Sequence, residues 1–557
     1  MSGYTGKGRT NMIRRMVAGG AALLALASAF ADGLPSVAWE PERKKVVSFG
    51  WEWGPITPAE YVKYADRIDR TGLDGVGVYV KARRPDGKRI ESSCVGDGTD
   101  LWTREMVADQ VPLFREAMSH KGLRESFIRA LGAPHGRLDW ADDAVWAKVT
   151  QSMATLAWLA KEGGFRGLII DPEDYHKAKQ FERRPGDEPW SVLAPLARRR
   201  GREIFSAVFR EYPEAVIFTY WLFSWNIYQA YSDNPMVSAR CGGDLWSSFV
   251  NGILDVMPPS AKLVDGNEWA YEAEAKRFEF LMSSVAQRNC ADGLVAPENR
   301  AKYRAQVMPG FGLYLDSYTN DKTNSAGKAN HYYYGPDESG TRAGHLERNL
   351  SAALRASGGY VWFWGEKFSW ITYDPEQRMG WHVSRELWAD RLAGLYSIVR
   401  ACANPEDFLK VDFPILRQAG KIRDLAAGKD VVAMSEKALG KSHDPKNETK
   451  EGPGYFHIGD ERAVPGSHYV IVVDGHGEGL NAIAYWLGRK DGGWWRWRVP
   501  GQGIALKDLG DGKRHGEAVI TVPEGVDGLQ VQFQLHPDPG KACGFDRVFL
   551  GKVDLAK

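Results

Sequence analysis

The chain has 557 residues, more than one ordinary domain holds, so two or more compact units are expected. Hydrophobic residues make up 43% and charged residues 26%, a composition typical of a folded protein rather than a disordered or fibrous one. The 72 basic residues nearly balance the 71 acidic ones, and a net charge of +1 gives nucleic acid no support as a partner.

The first 31 residues have the pattern of a signal peptide. Arg14 and Arg15 precede an apolar run, residues 16–30, and the small residues around Ala31 supply a cleavage site. The run is short and rich in glycine and alanine, which disfavours a membrane span, although an N-terminal anchor is the alternative. We therefore expect export to the periplasm or the cell exterior, with no membrane span in the mature protein. The sequence gives no indication of the oligomeric state.

Between residues 39 and 400, short apolar runs alternate with helical stretches, the pattern of a parallel α/β fold. The first helix is predicted to begin with Thr57 as N-cap and Pro58 in its first turn. Eight strands with intervening helices in this length predict a (β/α)8 TIM barrel with long loops. The alternative, a doubly wound sheet, lacks a glycine-rich phosphate motif after its first strand. The predicted strands are 46–50, 75–80, 126–129, 167–170, 215–220, 261–264, 312–315 and 359–364.

The remainder of the chain changes character. Residues 401–452 carry little strand pattern and are interpreted as a connecting segment. Residues 453–557 contain short alternating runs separated by glycine and proline. This pattern predicts a jelly-roll-like C-terminal β-sandwich, for which carbohydrate binding is the candidate role.

Carboxylates follow several of the predicted barrel strands. In a TIM barrel the carboxyl ends of the strands meet at one face, where the reactive groups lie. This arrangement predicts one acidic cleft at the barrel mouth. The acidic residues in such positions are Asp171, Glu173, Asp265, Glu268, Asp316 and Glu366.

Glu173 is the candidate general acid, with Asp171 two residues before it. Side chains two apart on a strand point the same way, so mutual repulsion would raise one pKa, as an acid at neutral pH requires. An ordinary ion pair at the barrel rim is the alternative for Glu173.

Hydrolysis of a glycosidic bond needs a second carboxylate besides the acid. Glu268 and Glu366 are the main candidates, with Asp265 and Asp316 behind them. A surface pair with Lys367 is the alternative interpretation of Glu366.

The chain is rich in aromatic residues, with 21 Trp, 22 Tyr and 22 Phe. Aromatic rings offer flat apolar surfaces on which the C–H faces of sugars can stack, although packing in the core is their commonest use. Interior packing is expected for two or three of the tryptophans at the strand ends. The candidate substrate-binding residues are Trp51, Trp53, Tyr220, Trp221, Trp225, Asp265, Asn267, Asp316, Trp362 and Trp364.

No metal and no other cofactor is expected. The five cysteines form no CxxC pair, and no HExxH pattern occurs. None of the 12 histidines falls at a predicted strand end, which disfavours metal-dependent deacetylation. The absence of a GxSxG elbow disfavours hydrolysis by a nucleophilic serine.

Residues 165–175 resemble the fourth-strand signature of chitinase-type (family 18) glycoside hydrolases, F-D-G-x-D-x-D-x-E-Y. The resemblance implies that Glu173 is the acid and that Asp171 orients the substrate's N-acetyl group as an internal nucleophile. This chain has Ile169 where the family has an earlier Asp, and Pro172 where it has an aromatic residue. The strand end also resembles that of uncharacterised exported barrel proteins, which implies the fold without a substrate.

These patterns predict an exported glycoside hydrolase that cleaves an extracellular polysaccharide or glycan through paired carboxylates. The alternative is a non-catalytic carbohydrate-binding protein on a degenerate barrel. The two differ in one structural respect, since only the enzyme requires Glu173 to lie close to another carboxylate.

Overall fold

The computed structural model describes residues 43–131, 136–173, 178–226, 245–286, 293–442, 454–489, 495–537 and 541–555. The predicted signal peptide, residues 1–31, lies outside these ranges, and export therefore stays a prediction. All of the candidate site residues lie within them.

Parallel strands form a barrel in the first part of the chain. Several of these strands are buried along their whole length, which explains their uninterrupted apolar runs. A short antiparallel hairpin, β3 and β4, follows the second strand. The strands are β1 Lys45–Ser48, β2 Gly75–Val78, β3 Lys81–Arg83, β4 Arg89–Glu91, β5 Phe127–Leu131, β6 Gly167–Ile170, β7 Val216–Thr219, β8 Lys262–Asp265, β9 Val307–Pro309, β10 Phe311–Tyr314 and β11 Tyr360–Trp364.

The barrel closes through its seventh strand, which is divided at Gly310 into β9 and β10. β9 pairs with β8 on one side, and β10 pairs with β11 on the other. Since β11 also pairs with β1, the parallel ladder returns to its start. The TIM-barrel prediction is confirmed, and each predicted strand overlaps an observed one.

Close strand packing explains one glycine of the barrel. A Cβ atom at Gly167 would lie 1.8 Å from the carbonyl oxygen of Val216 on the adjacent strand. A side chain there would push β6 away from β7, so the position requires glycine.

Aromatic rings fill the barrel interior. Phe49 packs edge-on against Phe218 with ring centroids 4.9 Å apart, and Trp362 stacks on Tyr220 at 4.6 Å. Trp362 is fully buried and donates a hydrogen bond from Nε1 to the Gly266 carbonyl oxygen at 2.8 Å. Trp53 is fully buried as well.

Two candidate substrate-binding residues are therefore corrected. The Trp53 indole donates to Ser48 Oγ at 3.1 Å and its carbonyl oxygen accepts from Tyr61, so Trp53 is satisfied between the barrel and the helix that follows the first strand. Because neither Trp53 nor Trp362 exposes any surface, both pack the core and cannot contact a sugar in this structure.

Helices surround the barrel and continue beyond it. The first begins as predicted, with a capping box in which Thr57 and Glu60 each bond the other's backbone N–H. No helix within the described ranges combines the length and apolarity needed to cross a bilayer. The helices are α1 Pro58–Asp69, α2 Val111–Met118, α3 Asp143–Gly163, α4 Trp190–Glu211, α5 Trp246–Val256, α6 Phe278–Ala286, α7 Arg300–Gln306, α8 Arg342–Ala356, α9 Trp388–Arg391, α10 Leu395–Ala403, α11 Pro405–Asp407, α12 Phe413–Gln418 and α13 Val431–Ser442.

Two antiparallel sheets follow, as the sequence predicted. Their order is β12-β20-β14-β18-β17 in one sheet and β13-β19-β15-β16 in the other. Rings from the two sheets meet between them, for example Phe456 against Phe545 at 5.8 Å. The strands are β12 Ile422–Asp424, β13 Gly454–Asp460, β14 His468–His476, β15 Leu480–Arg489, β16 Trp495–Ile504, β17 Lys507–Gly510, β18 Lys513–Thr521, β19 Gly528–Leu535 and β20 Gly544–Val553.

Part of the predicted connecting segment packs with the sandwich. β12 pairs with β20, and Val431 and Ala438 of α13 belong to the sandwich core. The segment's sequence hid this role, because β12 has only three residues and no alternation to reveal it.

The five-stranded sheet turns its outer face to the barrel. Val470 and Phe549 belong to the apolar cluster that is continuous with the barrel core. Arg348 of α8 forms a two-pronged ion pair with Glu524, at 2.7 and 2.8 Å. Buried His468 of β14 bonds Glu347 of α8 through Nδ1, and its Nε2 lies 3.7 Å from Cys402 Sγ.

Replacement of His468 by Gln should destabilise this contact. Burial opposes the charged imidazole, but Cys402 and Glu347 outweigh burial and raise the pKa of His468 to about 10. Because this pKa exceeds its usual value of 6.5, the stabilisation is complete below about pH 6.5 and is lost as the pH rises through about 10. We expect His468→Gln to lower the free energy of unfolding, measured by urea titration, by about 3 kcal/mol at pH 7. The loss should be smaller at pH 9.5.

The matched control is His476→Gln, since His476 bonds Asp546 at an exposed position. This variant should unfold within about 0.5 kcal/mol of the unsubstituted protein. Equal effects of the two substitutions at pH 7 would contradict a buried imidazolium at His468.

Candidate active site

Asp171 and Glu173 follow β6 at the carboxyl end of the barrel. The Glu173 backbone N–H donates to Asp171 Oδ1 at 3.0 Å, which fixes the turn after the strand. The Asp171 side chain is only 6% exposed, and Arg129 Nη2 lies 3.4 Å from its Oδ2. The strand end therefore holds a buried carboxylate beside a partly buried one.

Glu268, at the end of β8, shares this site. Burial raises the pKa of Asp171 to about 7, with a further rise from Glu173 that Arg129 partly offsets. Burial also raises the pKa of Glu268 well above its usual value, and Glu173 and Asp171 add to the effect. The charges of the three carboxyl groups therefore act on one another. We call them the carboxyl cluster.

The Glu268 Oε2 atom is buried and has no hydrogen-bond partner within the described part of the chain. The nearby Trp221 indole lowers the Glu268 pKa by hydrogen bonding, although the geometry is not that of a standard hydrogen bond. Because buried polar atoms are almost always well paired in folded proteins, Glu268 is held here at an energetic cost.

Arg129 is the functional residue that sequence reasoning missed. It lies in β5, and its guanidinium carbon lies 4.8 Å from the Tyr79 ring, 5.2 Å from Tyr220 and 5.5 Å from Trp364. It also donates to the Tyr79 hydroxyl. The available signal was an arginine inside an otherwise apolar strand, Phe127–Leu131.

A second pair of carboxylates lies after β10 and β11. The Glu366 N–H donates to Asp316 Oδ2 at 2.9 Å, and Trp364 Nε1 donates to Glu366 Oε1 at 3.0 Å. Burial raises the pKa of Asp316 to about 7. Lys367 bonds Asn320, so the geometry favours an inward-facing Glu366 over the simple surface pair.

Tyr332 feels the charges of both the carboxyl cluster and Glu366. Burial raises its pKa, and the negative charges of Glu272, Glu268, Glu173 and Glu366 raise it further. Its ring meets Tyr314 edge-on at 5.1 Å. The charges of Glu268, Glu173 and Glu366 thus all act on Tyr332, as does that of exposed Glu272.

Asp265 and Asn267 support the loops rather than lining the mouth. Asp265 is fully buried and accepts bonds from the backbone of Leu222 at 3.2 Å and of Ser224 at 2.8 Å. Asn267, also fully buried, adopts a left-handed backbone with φ of 46°. Within the described residues its side-chain amide has no hydrogen-bond partner. The left-handed backbone of Asn267 is strained, and it directs the chain into Glu268.

Tryptophans form two groups around the mouth. Trp221 meets Trp225 at 5.5 Å and Trp269 at 5.1 Å, beside Glu268. Trp51 stacks on Trp381 at 4.6 Å with an interplanar angle of 21°. Trp269 and Trp381 were not predicted, yet they are 38% and 65% exposed and offer the most open ring surfaces.

A cleft of about 1370 Å³ begins at the Trp51–Trp381 stack. Tyr79 lies in its wall, and the hairpin β3–β4 and residues 377–381 form its sides. Because Tyr79 also bonds Arg129, the cleft adjoins the carboxyl cluster. Its volume exceeds the few hundred Å³ that small ligands occupy, which suits an extended chain.

One group of described residues could place three ligand atoms around a metal ion, namely Asp66, Asp69 and His120. His120 Nδ1 already bonds Asp69 at 3.1 Å. The group lies at the carboxyl end of α1 and contains none of the predicted site residues. The expectation that no metal is required stays a prediction.

No protein-family model and no curated protein matches the sequence. Solved barrel structures are similar in fold. A glucosidase from Croceicoccus marinus is 11% identical, with 90% of this chain and 98% of that chain covered at a TM-score of 0.35. A glycoside hydrolase family 5 protein from Bacteroides vulgatus is 11% identical, with 90% of each chain covered at a TM-score of 0.34. A D-allulose 3-epimerase from Methylomonas is 13% identical, with 63% and 96% covered at 0.31.

Replacement of Glu268 by Gln should stabilise the protein at alkaline pH. Because the folded pKa of Glu268 is raised, its stabilising effect is complete only below the usual value of 4.5 and is lost as the pH rises through the folded value. We expect the free energy of unfolding of Glu268→Gln to be about 2 kcal/mol larger than that of the unsubstituted protein at pH 8. At pH 4.5 the two should differ little.

Urea titrations at both pH values measure this difference. Glu272→Gln is the matched control, because Glu272 is an exposed residue of the same short helix. A Glu268→Gln protein that is less stable at pH 8 would show that the charged carboxylate is favoured in the folded state.

Proposed function

We propose that this chain is an exported glycoside hydrolase that cleaves an extracellular polysaccharide or glycan. The convergence of Glu173, Glu268 and Asp171 at the barrel mouth carries the proposal. Paired carboxyl groups with raised pKa values are what proton transfer to a glycosidic oxygen requires near neutral pH. The exposed rings of Trp269 and Trp381 support a sugar ligand.

Glu173 serves as the general acid in this proposal. Burial and mutual repulsion raise the pKa values of Asp171 and Glu268, so the carboxyl cluster retains a proton near neutral pH that belongs to the group as a whole. Glu173 exerts the largest charge effect on both Asp171 and Glu268, so its protonation is coupled to that of both. It is therefore best placed to pass the proton to the leaving oxygen.

Glu268 is the second carboxylate. With the shared proton on Glu173, Glu268 is ionised, and it attacks the sugar carbon or takes a proton from the attacking water in the same step in which Glu173 protonates the leaving oxygen. Arg129 positions the cluster, since its charge lowers the pKa values of Asp171 and Glu268. Glu366 binds substrate hydroxyl groups, and Asp316, whose side chain is fully buried, holds the Glu366 backbone by accepting a hydrogen bond from its N–H.

The chitinase-type resemblance gives a variant of this mechanism. There Asp171 would orient an N-acetyl group of the substrate, which would attack the sugar carbon in place of a protein carboxylate. The bond between Asp171 Oδ1 and the Glu173 N–H leaves Oδ2, beside Arg129, for that task. The two variants differ in whether the substrate must carry an N-acetyl group.

Replacement of Glu173 by Gln should reduce hydrolysis at least about 10²-fold, because the amide cannot donate the proton. The assay compares the mature protein with the variant on aryl glycosides and soluble polysaccharides by counting reducing ends. Glu182→Gln, a surface change in the following loop, is the control. Unchanged activity in Glu173→Gln would refute the assignment.

Substrates with different leaving groups can distinguish the roles of Glu173 and Glu268. A dinitrophenyl leaving group needs no protonation, so Glu173→Gln should recover on such substrates while Glu268→Gln stays inactive. The reverse pattern would exchange the roles. Hydrolysis of aryl N-acetylglucosaminides alone would favour the substrate-assisted variant, and inactivity of the unsubstituted protein with intact glycan binding would favour the non-catalytic alternative.

Replacement of Arg129 by Gln should shift the pH dependence of kcat/KM. Loss of the cation raises the pKa values of Asp171 and Glu268, so the alkaline limb should move up by about one pH unit. Arg124→Gln, an exposed change in the preceding loop, is the control. A lower rate with an unshifted profile would show that Arg129 has only a structural role.

A further inference from the structure

One side of the cleft beside the Trp51–Trp381 stack is basic. The hairpin β3–β4, residues 81–91, contains five basic residues and two acidic ones, although the whole chain has a net charge of only +1. Arg378, from the loop that carries Trp381, lines the same cleft. The five basic residues of the hairpin, all of which line the cleft, are Lys81, Arg83, Arg84, Lys88 and Arg89.

The register of the hairpin places like charges opposite each other. Arg83 of β3 pairs directly with Arg89 of β4. Like charges at opposite positions destabilise an antiparallel pair, and a two-stranded hairpin is only marginally stable to begin with. Arg83 donates to the carbonyl oxygen of Gly87 at 3.1 Å, which gives its charge no carboxylate partner. The charge pattern therefore opposes the stability of the hairpin, and a reason other than folding is needed for it.

Lys81 shows that the positive charge is not balanced from within. Its side chain is partly buried, and burial lowers the pKa of its ammonium group. The charges of Glu91 and Glu60 raise this pKa, those of Arg378 and Arg89 lower it, and the net direction is downward. The surroundings of Lys81 therefore disfavour its charge, and an anion placed beside it would restore the balance.

The carboxylates of the cleft are bonded to other groups or stand apart from these cations. Glu91 pairs with Lys81 across the hairpin, yet its side chain accepts the Ser93 hydroxyl at 2.7 Å. Glu60 closes the capping box of α1. Only Asp100 forms an ion pair with a residue of the hairpin, Arg84, in the described part of the chain. The other acidic residues that line the cleft are Asp97, Glu105 and Asp109.

Lys81, Arg89 and Arg378 are cations of the cleft that form no ion pair within the described ranges, and we call them the cationic wall. Arg89 and Arg378 are exposed, so a ligand can reach both. A guanidinium group binds a carboxylate or a sulfate through two parallel hydrogen bonds. Arg378 lies three residues before the exposed ring of Trp381, so one loop offers both a positive charge and an apolar surface.

We propose that the cationic wall binds an anionic sugar of the substrate polymer, one that carries a carboxylate or a sulfate ester. The sugar ring contacts Trp381, and its negative group lies among the three cations. The proposal rests on the proposed function, since it names the class of polymer that the barrel mouth cleaves.

A polysaccharide fits this cleft better than a nucleic acid does. The cleft adjoins the carboxyl cluster through Tyr79 and Arg129. A nucleic acid carries a phosphate at every residue, and the carboxylates of the mouth would repel it. A polysaccharide can carry its charge on some sugars only, so a neutral sugar can lie at the mouth while an anionic one lies at the cationic wall.

The test uses the full chain with Glu173→Gln, so that a bound polymer is not cleaved. Affinity electrophoresis at low ionic strength compares polygalacturonate with its methyl ester, and dextran sulfate with dextran. At least one acidic polymer should retard the protein more than its neutral counterpart does. Retardation by polygalacturonate would identify a carboxylate as the ligand group, and retardation by dextran sulfate a sulfate ester. Single-stranded DNA is the fifth probe.

Adding Arg89→Gln and Arg378→Gln together should weaken binding to the retained acidic polymer at least about tenfold. Both side chains are exposed, whereas Lys81 is left in place because its ammonium group donates to the carbonyl oxygen of Gly54. The matched control is Lys507→Gln with Lys513→Gln, which removes the same charge from exposed positions of the sandwich. This control should change the affinity by less than about twofold.

Equal weakening by the two double variants would overturn the proposal, because the effect would then follow from net charge alone. So would equal retardation by acidic and neutral polymers, no retardation by either acidic polymer, or tighter binding of single-stranded DNA than of both. Thermal unfolding of each variant checks that the chain remains folded.

Hydrolysis of aryl glycosides is measured separately with Glu173 intact, so the two proposals can fail independently. Hydrolysis without selective binding of an acidic polymer would overturn the cationic wall and leave the hydrolase assignment standing. Selective binding that the Arg89 and Arg378 changes abolish, in a protein that hydrolyses nothing, would support the anion site and contradict the hydrolase.

Discussion

The cost of burying carboxyl groups together governs the barrel mouth. Asp171, Glu173 and Glu268 follow two strands, and Arg129 partly offsets the rise in the pKa values of Asp171 and Glu268. Burial of interacting carboxyl groups in a medium of low dielectric favours their neutral form, so protons remain on the cluster near neutral pH. The barrel tolerates this cost because its strands are held by a closed ladder and an aromatic interior that do not depend on the mouth.

The aromatic walls determine how strong this effect is. Tyr220 stacks on buried Trp362, and Arg129 lies over the rings of Tyr220 and Trp364. These rings exclude water from one side of the guanidinium group while they attract its charge. The same packing that removes Trp362 from the substrate-binding set therefore holds Arg129 beside Asp171.

Strand ends could be predicted from the sequence, and with them the acidic mouth, because parallel strands show as apolar runs and their carboxyl ends share one face. Side-chain direction could not be predicted at Arg129, since a strand buried on both sides has no alternation to show which residue points inward. Trp53 and Trp381 show a related limit. Trp53 turns into the core through a bond to Ser48, whereas Trp381 is brought to Trp51 from a loop 330 residues away in the chain. Composition alone does not separate such tryptophans.

The two sheets of the sandwich meet different packing requirements. One sheet needs apolar residues on both faces because it packs on the other sheet and on the barrel. The other sheet needs them on one face only, so alternation along β19 leaves its outward positions unconstrained by packing. Ordinary outward positions carry charged residues that favour solubility. On β19 the outward positions carry amides instead, and Gln532 at their centre is only 6% exposed, so this side of the strand is not ordinary exposed surface.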